Sequence, residues 1–368
     1  DLSVLGFGCM RLPVTGDGNI DEPEATGMIR YAIDHGVNYI DTAYPYHAGE
    51  SEPFVGRALS DGYRERVNLA TKLPGWLITS REDMDRYLNE QLLRLRTDHV
   101  DFYLLHGLMK PLWDTLSSLR VTEFLDDAIA DGRIRYAGFS FHDELPVFWE
   151  ITDSYDWTFC QIQYNFMDDE YQAGTEGLRY AAGKKLGVVV MEPIRGGMLA
   201  GDVLPVRAIW EKATVRRTPA EWALRWVWNH PEVTVVLSGM STRTQVEQNV
   251  AFAEQGNAGS LREHDLSLFA EVKAEYKDRI KIPCTGCAYC QPCQNGVDIP
   301  ACFEEYNHAH MYGTPDIART NYSLATGGFF GPASCASLCQ QCGECEEKCP
   351  QGIPIREKLK EVAGYFGR

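Results

Sequence analysis

The sequence predicts a (β/α)8 barrel followed by a small, mainly helical ferredoxin-like module. Three observations support this fold class. Short apolar runs alternate with amphipathic stretches as far as residue 256, glycines stand where the helices between them should end, and ten of the twelve cysteines lie after residue 283. The region upstream contains only Cys9 and Cys160. A length of 368 residues accommodates one large barrel and one small module.

Eight runs are strand-like, because they are short and rich in apolar and β-branched residues. They are Leu5–Leu12, Val37–Ala43, Val67–Leu73, Val100–His106, Ile134–Ser140, Phe159–Asn165, Val188–Pro193 and Val233–Gly239. A doubly wound sheet is the alternative, and it would normally show a glycine-rich phosphate loop after an early strand. The sequence Phe7-Gly8-Cys9 is not such a loop, so the barrel is favoured.

Amphipathic segments separate the strands and predict the helices of the barrel. They are Glu24–His35, Glu82–Arg94, Thr115–Asp131, Glu176–Leu186, Pro219–Trp228 and Arg243–Ala253. Gly36 and Gly132 follow two of them at the position where a left-handed glycine ends a helix. Glu263–Arg279 predicts one further helix outside the repeat. We therefore assign residues 1–260 to the barrel, 261–283 to a linking helix and 284–368 to a two-cluster 4Fe-4S module.

The cysteine module contains two tight runs of four cysteines. The first run is Cys284, Cys287, Cys290 and Cys293, and the second is Cys339, Cys342, Cys345 and Cys349. The second run has the bacterial ferredoxin spacing, including Pro350 after its last cysteine, whereas Gln294 replaces that proline in the first run. Crowding at one end argues against a disulfide scaffold, and zinc would need two separated CxxC pairs. We predict two [4Fe-4S] clusters with these eight residues as metal ligands.

Composition and charge exclude several classes of partner. A formal net charge of −17 argues against nucleic acid and against an anionic membrane surface. No apolar run approaches the roughly 20 residues that a membrane-spanning helix needs, and no signal peptide is recognisable. We therefore expect a cytoplasmic protein without nucleic-acid or membrane partners. The sequence starts at Asp1 without a methionine, so a missing upstream segment stays open.

Ionisable residues end three successive predicted strands. Asp41 ends the second strand, Lys72 the third and His106 the fourth. Catalytic residues of (β/α)8 enzymes stand at these carboxyl ends of strands. Burial of one charge is costly, but Asp41 and Lys72 on neighbouring strands can neutralise each other. The alternatives are a purely structural ion pair and a core histidine with satisfied hydrogen bonds.

Four motifs carry a resemblance to a known family. They are Asp41-Thr-Ala-x2-Tyr46, Gly49-Glu50-Ser51-Glu52, Ala70-Thr-Lys72 and Leu105-His106. Residues 2–256 resemble the aldo-keto reductase family, and the whole chain resembles its iron–sulfur branch with a C-terminal two-cluster module. The resemblance implies an NAD(P)H-dependent oxidoreductase that interconverts a small-molecule carbonyl and an alcohol by hydride transfer. It also implies that Asp41, Tyr46, Lys72 and His106 form the catalytic tetrad.

The implied roles agree with the chemistry of these side chains. A tyrosine with a pKa of about 10 is a weak acid at neutral pH, and a neighbouring Lys72 ammonium lowers that pKa by stabilising the phenolate. Asp41 keeps Lys72 charged and oriented. His106 donates a hydrogen bond to the substrate oxygen, and Tyr46 delivers the proton.

The resemblance also implies the residues that contact the dinucleotide. They are Ser140, Gln161, Met191, Gly239, Ser241, Arg243, Gln245 and Asn249. Relatives have an asparagine after the serine, whereas Phe141 and His142 follow Ser140 here, and relatives often stack an aromatic where Met191 stands. A solvated helix face is the alternative for Gln245 and Asn249. Arg243 is the only basic residue between Gly239 and Asn249, which does not decide between NADP and NAD.

The role of the clusters stays open at this point. They are structural, or they pass electrons to a ferredoxin or another carrier; a Lewis-acid role is disfavoured because eight thiolates leave no open iron. The ferredoxin cross-over rule pairs Cys349 with the first three cysteines of the first run, and Cys293 with the first three of the second. The alternative functions are a nicotinamide-binding sensor or electron-relay subunit, and a lyase or epimerase that uses transient oxidation. The sequence does not predict the substrate or the oligomeric state.

Overall fold

The chain forms two compact units in a computed structural model. The structure describes residues 1–328 and 331–367; residue 368, the last of the predicted cysteine module, lies outside the described part, as do residues 329 and 330. Residues 1–193 and 221–261 form the first unit, and residues 194–220 and 262–368 form the second. The first unit therefore ends one residue after the predicted barrel boundary at residue 260.

The predicted boundaries need one correction, because residues 194–220 group with the second unit rather than with the barrel. The reason is a packing contact inside the second unit. The ring of Trp210 packs edge-on against Phe269, with ring centroids 4.9 Å apart. Phe269 belongs to the predicted linking helix, which is thus part of the second unit and packs against the segment that follows the seventh strand.

Within the described residues of the first unit, eight parallel strands close into a barrel in chain order. This arrangement confirms the predicted (β/α)8 barrel. The strands are β1 Leu5–Gly8, β2 Tyr39–Asp41, β3 Asn68–Leu73, β4 Val100–Leu108, β5 Ile134–Phe141, β6 Phe159–Gln163, β7 Gly187–Met191 and β8 Val233–Gly239. β1 is shorter than predicted because a 3-10 turn, Cys9–Arg11, begins directly after Gly8.

The helices follow the strands and continue into the second unit. They are α1 Glu22–Asp34, α2 Ser51–Ala58, α3 Arg81–Leu95, α4 Lys110–Ser118, α5 Val121–Ala130, α6 Leu145–Asp153, α7 Gly174–Gly183, α8 Leu204–Trp210, α9 Pro219–Trp228, α10 Arg243–Ala253, α11 Glu263–Asp278, α12 Ile299–Tyr312, α13 Pro315–Thr326, α14 Glu344–Glu347 and α15 Ile355–Phe366. The predicted helix Thr115–Asp131 is divided into α4 and α5. Arg120 lies between them with a φ of 61°, a left-handed conformation that ends a helix.

The register of the barrel brings the ends of β2, β3 and β4 together. Asp41 pairs with Ala70 across β2 and β3, and Lys72 pairs with Leu104 across β3 and β4. A buried cluster fills part of the interior, consisting of Tyr39, Ala70, Phe102, Leu104, Phe159, Val189, Val235 and Leu237. Because the barrel is packed with side chains, the polar residues at its carboxyl end stand on a rigid base.

The second unit has a hydrophobic core of its own, against which six of the eight cysteines in the two runs pack. Its buried members include Ile299, Phe303, Tyr322 and Leu359. The rings of Tyr322 and Phe366 stack with centroids 4.0 Å apart, which joins α13 to α15. In the part of the chain that the structure describes, no helix has the length and apolar character needed to cross a membrane.

Candidate active site

Lys72 and Asp41 form a buried ion pair at the carboxyl end of the barrel. The Lys72 Nζ donates to Asp41 Oδ1 at 2.7 Å, to Asp41 Oδ2 at 2.8 Å and to the Thr42 carbonyl at 2.8 Å. The pKa of Lys72 is raised: burial lowers it, but Asp41 and Tyr46 together outweigh burial. Burial raises the pKa of Asp41, and Lys72 opposes that shift. The lysine therefore carries a positive charge at neutral pH, with three acceptors near its three N–H groups.

Tyr46 lies beside this ion pair, on a tight turn after β2. Its hydroxyl is 3.5 Å from the Lys72 Nζ, so their interaction is mainly electrostatic. His47 and Ala48, the next two residues, are left-handed with φ values of 51° and 54°, which fixes the direction of the turn. The pKa of Tyr46 is raised, because burial outweighs the lowering effect of Lys72. This corrects the expected direction: Lys72 acts as predicted, but the phenol stays protonated at neutral pH.

His106 stands across from Tyr46 near the end of β4. The two rings are 6.0 Å apart between centroids and nearly perpendicular. Burial, Lys72 and His142 together hold the pKa of His106 well below its usual value, so the imidazole is neutral at neutral pH. Its Nδ1 is buried and has no hydrogen-bond partner among the described residues. A neutral imidazole next to a protonated phenol can donate a hydrogen bond to an oxygen placed between them.

A buried polar network on the outer side of β3 holds the backbone of Lys72. The Gln91 side chain, on α3, donates to the Lys72 carbonyl at 2.9 Å and to Glu52 Oε1 at 2.6 Å. Thr71 also donates to Glu52 Oε1, at 2.6 Å, and Tyr103 donates to Gln91 Oε1 at 2.8 Å. The sequence assigned no role to Gln91. Its only signal was a polar residue on the buried face of an amphipathic helix.

Gln161 and Ser140 keep polar atoms available for a ligand near the ends of β5 and β6. The Gln161 Oε1 is buried and has no hydrogen-bond partner among the described residues, while its Nε2 lies 3.4 Å from the sulfur of Met191. Ser140 Oγ accepts from the Gly107 N–H at 2.7 Å, which fixes the backbone after His106 and leaves the hydroxyl proton free to donate. His142 lies 3.4 Å from the Gln172 side chain. An unsatisfied amide oxygen is the partner that a carboxamide N–H requires.

Several residues after β8 that are predicted to contact the dinucleotide form hydrogen bonds or ion pairs within the protein. The Ser241 N–H donates to Gln245 Oε1 at 2.8 Å, and Asn249 donates to Ser238 Oγ at 3.0 Å. Arg243 forms an ion pair with Glu247 at 2.8 Å. Asn249 is buried, so the alternative of a solvated helix face does not apply to it, whereas Gln245 is exposed.

The eight cysteines of the two runs line two neighbouring cavities in the second unit. One cavity is lined by Cys284, Cys287, Cys290 and Cys349, and the other by Cys293, Cys339, Cys342 and Cys345, with Cys290 at both. The pKa of Cys284 is raised, first by burial and then by Cys287 and Cys349 among other neighbours. Within the described residues, no three histidine, cysteine or acidic side chains converge closely enough to ligate a single metal ion.

The arrangement at the carboxyl end of β2, β3 and β4 defines the first unit as a (β/α)8 enzyme domain. Comparison with known families agrees with this class, since the pattern of the aldo/keto reductase family matches residues 4–258. The chain therefore belongs to the aldo/keto reductase family, and it is an oxidoreductase of the NAD(P)H-dependent kind.

Three relatives illustrate the similarity. Methylglyoxal reductase YeaE of Escherichia coli is 27% identical over 264 residues, which cover 67% of this chain and 87% of the relative. An aldo-keto reductase of Bacillus halodurans in its holo form superimposes with a TM-score of 0.61 at 27% identity, covering 73% of this chain and 92% of the other. An aldo-keto reductase of Klebsiella pneumoniae in complex with NADPH gives a TM-score of 0.60 at 25% identity, covering 74% and 91%.

Proposed function

We propose that the protein reduces a small-molecule carbonyl to an alcohol with NADPH, and that Tyr46 donates the proton. The observation that carries this proposal is the position of the Tyr46 hydroxyl, 3.5 Å from a buried and charged Lys72. The raised pKa of Tyr46 keeps its proton in place for donation. Removal of the proton from an alcohol, the reverse reaction, would need the phenolate, so oxidation is expected to need a higher pH than reduction.

Each residue of the tetrad has one task in this mechanism. When bound, NADPH would supply the hydride that reduces the carbonyl carbon. As negative charge develops on the carbonyl oxygen, neutral His106 donates a hydrogen bond to it and Lys72 stabilises it electrostatically. Tyr46 then transfers its proton to that oxygen. Asp41 holds the ammonium in place and keeps it charged.

The residues around β5 to β8 fit a nicotinamide dinucleotide. The free amide oxygen of Gln161 and the hydroxyl of Ser140 suit the carboxamide of the nicotinamide, and Met191 contacts Gln161 next to them. Gly239, Ser241, Arg243, Gln245 and Asn249 would hold the adenosine half. The Klebsiella relative was solved with NADPH, which supports NADP as the cofactor.

The pH dependence of the anaerobic reaction tests this mechanism. We expect NADPH-dependent reduction of aldehydes or ketones to stay level through neutral pH, because burial raises the pKa of Tyr46 and keeps the phenol protonated there. Alcohol oxidation should instead accelerate as the pH rises. The rates of both directions are measured between pH 6 and pH 11 by the absorbance of NADPH.

A reduction rate that falls near neutral pH, with a matching rise of the oxidation rate, would show that Tyr46 ionises there and contradict the proposed direction. Tight NADPH binding with no turnover of any carbonyl would instead favour the electron-relay alternative, which the cysteine-lined cavities also permit.

The second unit is proposed to be a ferredoxin-like module that binds two [4Fe-4S] clusters. Two sets of four thiols around two cavities support this, since a cubane is held by four cysteines, one on each of its four irons. The clusters supply structural cross-links or one-electron transfer, and a ferredoxin is the proposed partner for the latter.

The lining of the two cavities predicts how the cysteines divide between the clusters. Cys349 belongs to the second run but lines the cavity of Cys284 and Cys287. In anaerobically purified protein we expect about eight irons per chain, falling to about four in Cys349→Ala. Adding Cys284→Ala should remove no further iron, whereas adding Cys342→Ala should remove nearly all of it, because Cys342 lines the other cavity.

Iron and acid-labile sulfide content measure this outcome. Cys302→Ala is the matched control, because Cys302 is a buried cysteine of the same unit that lines neither cavity. The reverse pattern in the double variants would contradict the cross-over of ligands between the two runs.

A further inference from the structure

Arg243, the basic residue predicted to contact the adenosine half of the dinucleotide, already has partners within the protein. Arg243 forms an ion pair with Glu247, Nε to Oε1 at 2.8 Å. Its guanidinium carbon also lies 3.8 Å from the ring centroid of Tyr31. A phosphate would have to compete with both of these contacts. The segment after β8 therefore offers little positive charge from its own residues.

Arg11 follows β1, at the other end of the barrel sequence, and its side chain lies against the same segment after β8. β1 pairs with β8, and Gly8 lies opposite Gly239. The Ser241 Oγ donates to the Arg11 carbonyl at 2.8 Å, a contact between residues 230 positions apart. A methyl group added to the Cα of Gly239 would lie 3.4 Å from the Cβ and Cδ of Arg11, so the arginine stem packs directly against this glycine.

The charged end of Arg11 has no partner within the described part of the chain. No hydrogen bond or ion pair joins its guanidinium to another described residue, and the residue is half-buried. Carboxylates outnumber basic residues in this chain, whose net charge is −17, so an arginine without a carboxylate partner is unexpected. A planar guanidinium binds phosphate through two parallel hydrogen bonds, which makes it suited to a nucleotide.

We propose that Arg11 binds a phosphate group of the dinucleotide, and that the 2′-phosphate, which distinguishes NADPH from NADH, is the expected group. The proposal rests on the proposed function, because it requires the dinucleotide to bind at the carboxyl end of β8. Contact with Gly239 and Ser241 places Arg11 beside the residues proposed to hold the adenosine half. Arg11 thus makes the site selective for the phosphorylated cofactor.

Substitution Arg11→Met tests this assignment, since methionine retains an apolar stem against Gly239 and removes the charge. We expect the Kd for NADPH to rise roughly 10- to 100-fold, the loss typical of one charge-assisted hydrogen-bonded contact. The Kd for NADH should change little. Arg11→Lys should recover part of the affinity, and the salt dependence of NADPH binding should become weaker in Arg11→Met. Dinucleotide fluorescence in anaerobic titrations measures all of these values.

Arg120→Met is the control for net charge, because the exposed Arg120 guanidinium, just before α5, forms its ion pair among the described residues with Glu123. An equal loss of NADPH and NADH affinity in Arg11→Met would overturn the assignment to the 2′-phosphate and place the contact at the pyrophosphate, which both dinucleotides share. Unchanged affinity for both dinucleotides in a folded Arg11→Met protein would overturn the role of Arg11 and leave the proposed function standing. A wild-type protein that binds neither dinucleotide would overturn both.

Discussion

Replacement of Tyr46 by phenylalanine is expected to reduce the rate of carbonyl reduction by about 10²- to 10⁴-fold, the usual contribution of a positioned general acid. Tyr46→Phe keeps the ring beside His106 and removes only the hydroxyl that lies 3.5 Å from Lys72. The Kd for NADPH should change little, since the lost group acts on the substrate oxygen. Steady-state kcat with an aldehyde, together with an anaerobic NADPH titration, measures the two effects separately.

Tyr44→Phe is the matched control for this experiment. Tyr44 belongs to the same turn, but its hydroxyl faces Glu90 at 3.4 Å and its ring lies under the Arg94 guanidinium. It should therefore keep wild-type turnover. A Tyr46→Phe protein that turns over as fast as Tyr44→Phe would remove Tyr46 from the role of proton donor.

Replacement of Lys72 by methionine is expected to cost both activity and stability. The substitution leaves the buried Asp41 carboxylate without its counter-ion, and loss of one partner from a buried ion pair typically destabilises a protein by about 3–5 kcal/mol. The deficit should be largest at neutral pH. The pKa of the isolated Asp41 carboxyl would rise further in the folded state, so the variant should regain stability as the pH falls and the carboxyl is protonated.

Urea unfolding at pH 5 and pH 8 measures this effect. The double variant Asp41→Asn, Lys72→Met serves as the control, because it removes both charges and should be more stable than Lys72→Met alone at pH 8. Equal stability of Lys72→Met and the double variant at pH 8 would show that the carboxylate is not buried without a partner. Loss of turnover in a folded double variant would show that the Asp41–Lys72 pair acts in catalysis as well as in folding.

The sequence predicted the barrel well because its signals are periodic and local. β8 and the helices α9 and α10 have the predicted bounds, and the other strands of the barrel lie within their predicted ranges or within two residues of them. Between residues 1 and 260, the predicted segments did not include helices α2, α6 and α8. Thr115–Asp131 was read as one helix, since the left-handed conformation of Arg120 has no glycine to mark it.

The meeting of Asp41, Lys72 and His106 at one end of the barrel was predictable for a related reason. Asp41, Lys72 and His106 end or nearly end three successive strands of a closed barrel, so their approach follows from the topology alone. The direction in which the pKa of Tyr46 shifts was not predictable from the sequence. It depends on whether burial or the lysine charge has the larger effect on the phenol, and burial is known only from the packed structure.

The amino-acid sequence by itself determined the order of the barrel strands, the residues proposed for acid-base chemistry and the two groups of cysteines, because each depends on short-range spacing. Only the tertiary structure decided which distant residues meet. Closure of β1 onto β8 brings Arg11 to Gly239, and the packing of α3 on β3 brings Gln91 to the Lys72 carbonyl. These contacts join residues that are far apart in the chain, so local sequence patterns do not predict them.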